Sequence, residues 1–146
     1  MYESIVVGTD GSETSKRAVA EATRLAEVMK STVHLVSAFE PLRGARITGA
    51  PEGAATVWAV RPDAQVESII EQASAVVRTH DVEVKSHTLT GDPADALLEI
   101  AEREGADLIV VGNRGMHGVS RVLGSVPNKV SHRARCHVLI VATDEH

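Results

Sequence analysis

The sequence predicts an α/β protein with one doubly wound, five-stranded parallel sheet of order 3-2-1-4-5 and four helices, Rossmann-like in its winding. Three observations carry this. Five short, β-branched runs alternate with segments of helical period along 146 residues, the alternation of repeated βαβ units. Most of the strand runs are continuously apolar, as in strands buried on both faces. The two glycine-bearing turns follow the first and fourth strands. Right-handed crossovers in this order bring the carboxyl ends of those strands together at the switch point, where α/β sheets bind ligands.

Each element has its own signal. Ile5-Val6-Val7 is the first strand and leaves through Gly8-Thr9-Asp10-Gly11-Ser12. Ala18, Ala22, Leu25, Ala26 and Met29 share one face of the first helix, with Ser12 or Thr14 as N-cap. Residues 33–38 are the second strand. Val66, Ile69, Ile70, Ala73, Val76 and Val77 make the apolar stripe of a second helix. Residues 82–89 alternate as a weaker third strand. Asp92 caps a third helix, Pro93 takes its first position, Leu97, Leu98 and Ala101 face inward, and Gly105 follows its end. Residues 108–111 are the fourth strand, 125–134 a short fourth helix, and 138–141 the last strand. The whole of 1–146 reads as one domain. Residues 40–62, with Pro41, Gly44, Gly49, Pro51, Gly53 and Pro62, read as a long variable loop, either a lid or a plain surface connection.

Composition excludes several classes. An apolar share of 43% against 24% charged residues is that of a globular chain. One cysteine, Cys136, allows neither an internal disulfide nor a CxxC zinc cluster. The absence of an 18-residue apolar run and of a leader pattern at the first residues leads us to expect no membrane span and a cytoplasmic location. Three aromatics (Tyr2, Phe39, Trp58) and a net charge of −5 argue against nucleic-acid binding. The charge is unevenly spread: residues 108–143 hold no acid and five bases, Arg114, Arg121, Lys129, Arg133 and Arg135. An acid-free stretch in an acidic chain suits an anion, or a basic face paired with acidic neighbours.

That stretch contains the strongest motif. Gly112, Gly115, Gly118 and Gly124 lie between a buried strand and a helix that opens at Ser125. Glycines let backbone N–H groups approach a phosphate, and a helix start adds unpaired N–H groups with a positive dipole end. No P-loop lysine and no GxGxxG are present. Asp10 in the first turn would repel a pyrophosphate without a cation. It suits a ribose hydroxyl or a Mg²⁺ ion, or it shapes the strand exit as an Asx-turn residue.

Together these residues resemble the universal stress proteins, in particular their ATP-binding branch. Residues 5–12 look like that family's opening strand and loop, 107–112 like its fourth strand, and Gly112-x2-Gly115 with Gly124-Ser125 like its G-x2-G-x9-G-[ST] signature. The likeness extends over residues 2–142. One departure stands out: eight residues, not nine, separate Gly115 from Gly124. The resemblance implies an adenine nucleotide across the switch point, ATP with or without Mg²⁺, with AMP or cAMP as alternatives. It places Asp10 at the ribose or the metal, and Thr9 and Ala38 at the adenine. It places Gly112, Gly115, Gly124, Ser125 and Val126 along the phosphates, with Arg114 and His117 adding charge, and counts Val111 among the nucleotide-binding residues. It further implies a homodimer through Val138, Leu139, Ile140 and Val141. The expected role is a nucleotide-binding stress or signalling protein whose nucleotide state modulates dimer or partner contacts. At most slow ATP hydrolysis is expected, and a scaffold without nucleotide is the remaining alternative.

Overall fold

A computed structural model describes residues 1–39, 52–113 and 125–142, with 52–63 described through the backbone alone. Among these residues the order is β1 (Ser4–Gly8), α1 (Glu13–Met29), β2 (Thr32–Phe39), α2 (Glu52–Arg78), β3 (Glu83–Thr90), α3 (Pro93–Arg103), β4 (Leu108–Gly112), α4 (Ser125–Arg133) and β5 (His137–Val141). The five strands form one parallel sheet, β3-β2-β1-β4-β5, the predicted order.

Side chains alternate between the two faces of this sheet, so each strand feeds two cores. Ile5, Val7, Val33, Leu35, Leu108 and Val110 pack under α1 and α2. Val6, Val36, Ile109 and Val111 pack under α3 and α4. Ile5, Val6 and Val7 are each 0% exposed, which is why the central strand is a pure aliphatic run. Outer β3 alternates exposed and half-buried residues, which explains its weak apolar signal. Register is pinned at the chain start: the Asp107 carboxylate accepts the N–H groups of Glu3 at 2.7 Å and Ser4 at 3.0 Å.

The structure corrects two details. Helix α2 begins at Glu52, inside the segment expected to be loop. Its glycines and prolines cluster at 41–53, and the residues that follow are compatible with helix until Pro62; one proline weakens a helix without always ending it. Val76, placed on the buried stripe, is 54% exposed, while Ser74 is buried in its turn of the helix with no hydrogen-bond partner for Oγ. The 3.6-residue period carries Val76 to the side of the stripe defined by Val66, Ile70 and Val77.

The N-cap of α1 is Ser12, whose Oγ accepts the Ser15 N–H at 3.2 Å. The helix closes on Lys30, held at φ 61° in the left-handed region. A side chain is strained there and glycine is not. Lys30→Gly is therefore expected to raise stability by about 0.5–1 kcal/mol, read as a higher urea midpoint at unchanged slope.

Beneath α3, the buried His34 Nδ1 and His87 Nε2 lie 3.0 Å apart on neighbouring strands. One neutral ring donates its N–H to the other. Burial, more than any neighbouring charge, lowers both pKa values; His87 and Lys85 lower that of His34 further, Arg103 and Lys85 that of His87, and Glu104 opposes in both. The unfolded chain therefore takes up protons first as pH drops below about 6.5, so stability is full above that pH and falls below it. Urea titrations at pH 7.5 and 5.5 should show this loss, and His34→Gln should flatten the difference.

Candidate functional site

The carboxyl ends of β1, β2 and β4 open into one cleft at the switch point. Its apolar wall is Val36 and Ala38 of β2 with Val111 of β4; Leu97 reaches in from α3, and Val126 and Pro127 close the α4 side. Polar groups enter from the β1–α1 turn: Thr9, Asp10, Ser12, Thr14 and Ser15.

The turn is built from its own sequence. Thr9 N–H donates to Val36 O at 2.9 Å, tying the strand exit to β2. Asp10 Oδ1 accepts the Ser12 N–H at 2.9 Å, an Asx turn, and Ser15 Oγ donates to Ser12 O at 3.0 Å. Gly11 sits at φ 84°, where a side chain would be strained, and a Cβ there would come within 3.2 Å of Ile69. Gly8 lets β1 approach α3 closely: a Cβ at this position would lie 3.3 Å from Leu97 Cδ2. These contacts place the first turn of α1 at the cleft, which Ser12, Thr14 and Ser15 line.

Of the expected site residues, Thr9, Asp10, Ala38, Val111, Gly112 and Val126 line this one cleft. Ser125 opens α4 beside it, with an exposed side chain. Arg114, Gly115, His117 and Gly124 lie outside the described residues. Sequence reasoning missed Ser12 and Thr14, read only for capping, Ser15, not singled out at all, and Pro93 and Leu97, read as helix start and core. The density of hydroxyls from Thr9 to Ser15 was the available signal for the first three. Nothing in the sequence alone brings α3 to this end of the sheet. Asn113 follows Gly112, is buried, and donates its N–H to Val141 O at 3.0 Å, which carries the chain across β5 before the glycine-rich stretch.

Cys136 is half-buried. Burial, and secondarily Asp107, raises its thiol pKa, the opposite of what a nucleophile needs.

A doubly wound parallel sheet with a cleft at its switch point, apolar on one side and ringed by hydroxyls and helix starts on the other, defines a Rossmann-like α/β ligand-binding architecture. The chain belongs to the universal stress protein family, whose family model matches residues 1–142. It is 38% identical over 147 residues to universal stress protein Rv1636 of Mycobacterium tuberculosis, covering 97% of each chain. A solved universal stress protein in complex with cAMP is 32% identical, with a TM-score of 0.76 and 98% of each chain covered. Protein MJ0577 aligns at TM-score 0.83 and 24% identity, over 100% of this chain and 99% of its own. A universal stress protein family protein from Arabidopsis thaliana with AMP bound aligns at TM-score 0.74 and 18% identity, over 97% of this chain and 92% of its own. The last two establish likeness of fold alone. No helix among the described residues is long and apolar enough to cross a membrane.

Proposed function

We propose that this chain is a cytoplasmic stress or signalling protein that binds an adenine nucleotide, ATP by preference, across the switch-point cleft. The observation that carries the reading is the convergence, in one cleft, of an apolar wall fit for a purine (Val36, Ala38, Val111, Leu97), a carboxylate fit for a ribose or a cation (Asp10), and the start of α4 next to Val126. The donors at the start of α4 suit a phosphate. Asp10 is the group through which Mg²⁺ would be held; a bound Mg²⁺ would screen the triphosphate from this carboxylate.

A second reading is cAMP. It is favoured by the 32% identical structure in complex with that nucleotide. Pro127 also supports it: the residue has no N–H, so the first turn of α4 offers one donor fewer to a polyphosphate. In either case the nucleotide state would bias dimer or partner contacts. The outer edge of β5, paired only with β4 among the described residues, is the surface through which a second copy would add.

Native mass spectrometry of the purified protein, followed by calorimetric titration with ATP, AMP and cAMP with and without Mg²⁺, tests this. Retained adenine nucleotide, or micromolar binding of ATP that tightens with Mg²⁺, supports the first reading. Preference for cAMP without Mg²⁺ dependence supports the second. No binding of any of the three leaves the scaffold alternative.

A further inference from the structure

The two helices that flank the cleft on its α3–α4 side share an apolar cluster and are also joined at the surface by charge. Helix α4 has nine residues and buries only Pro127 and Val130. Val126 adds to the apolar cluster with Leu97 and Ile100, while the charged contacts of α4 converge on the start of α3. Lys129 Nζ donates to Asp92 Oδ2 at 3.2 Å and lies 3.4 Å from Asp95 Oδ1; Arg133 Nη1 donates to the same Asp95 oxygen at 2.9 Å. Asp92 is also the N-cap of α3, its Oδ2 accepting the Asp95 N–H at 3.0 Å. One oxygen thus caps α3 and holds α4. The Asp95 amide first, and then Lys129, keep the Asp92 carboxyl below the ordinary range.

The placement matters more than the number of pairs. Pro93, next to Asp92, lines the cleft from α3, while Val126 and Pro127 line it from α4. Lys129 stands one helical turn below Ser125 and Val126, so the clip grips α4 just beneath the end that faces the cleft. The two carboxylate partners of Lys129 occupy its ammonium group.

We propose that Lys129, seconded by Arg133, is a positioning residue: it docks α4 on the start of α3 and so sets the aim of the Ser125 and Val126 amides into the cleft. This rests on the nucleotide reading of the cleft, whereas the docking of α4 can be measured without a ligand.

The experiment compares wild type, Lys129→Met and Lys129→Arg. Amide exchange across 125–133 is followed in the ligand-free protein, and calorimetric affinity is measured for ATP and cAMP. Exposed pairs of this kind correspond to roughly a two- to fivefold effect. Lys129→Met should speed exchange in α4 and weaken nucleotide binding by about that factor, at an unchanged circular dichroism spectrum. Lys129→Arg should restore both, and high salt should move wild type toward Lys129→Met. Unaltered α4 exchange in Lys129→Met overturns the proposal. So does faster exchange with undiminished affinity. A Lys129→Arg protein with restored exchange but lost affinity overturns it too, because the lysine would then be contacting the phosphate itself. If wild type binds no nucleotide, the reading of the cleft falls, and the exchange data still decide whether the clip exists.

Discussion

Gly124→Asp is expected to abolish nucleotide binding, by a hundredfold or more (~2.7 kcal/mol), while leaving the fold intact. Gly124 immediately precedes α4, whose first turn faces the cleft through Val126 and Pro127. Aspartate is among the best residues at a helix N-cap, and its charge favours the positive end of the macrodipole. The substitution should therefore leave α4 formed, or strengthen it. The same carboxylate would take the amides offered to a phosphate and would repel it at close range in a site partly shielded from water. Calorimetry with ATP and cAMP checks the loss, and circular dichroism checks the fold. Gly124→Asn, which caps without the charge, should lose much less. If Gly124→Asp binds as wild type does, the phosphate end of the ligand is not at α4.

Ile109→Ala should cost about 3 kcal/mol of stability and lower the melting temperature by roughly 10 °C. Ile109 is 0% exposed at the middle of β4, opposite Val6 of β1 and Val138 of β5. It packs in the cluster that includes Leu97, Ile100 and Val130. Truncation leaves a cavity between the sheet and the two helices that flank the cleft, and a core of this kind closes only partly. Val28→Ala, at a site 79% exposed, should change stability by less than about 0.5 kcal/mol. Urea unfolding of the two variants separates these expectations. Because the cavity lies beneath Leu97 and α4, Ile109→Ala should also loosen the cleft more than an equally destabilising change under α1.

Much of this architecture was legible because its signals are local. The continuous runs of β1 and β4 reflect burial on both faces. Ser12, Asp92 and Pro93 mark helix starts through short-range hydrogen bonding and a fixed φ. The order of the strands followed from crossover handedness together with the position of the two glycine-bearing turns. The start of α2 was not legible, because glycine and proline shift local odds without deciding them, and the backbone runs helical through Pro62. Nor was the exposure of Val76, since a stripe of apolar residues names a face, whereas its edge depends on what lies opposite.

The candidate site divides in the same way. Thr9, Asp10 and Gly112 could be named from sequence because each belongs to a turn directly after a strand, and the topology puts those turns side by side. The other wall could not. Pro93 and Leu97 reach the cleft only because α3 crosses β1 and β2 at an angle set by packing, and Gly8 is bare where Leu97 comes close. The basic stretch after β4 allowed two readings, an anion site or a face paired with acids. For Lys129 and Arg133 the tertiary structure chose the second, setting them against Asp92 and Asp95, more than thirty residues away in the chain. Sequence by itself determined the sheet, its winding and the end at which the cleft opens, since periodicity, capping and handedness act over a few residues. Only the folded chain decided which helix faces the cleft and which charges are already paired, because those depend on distances between segments that no local pattern encodes.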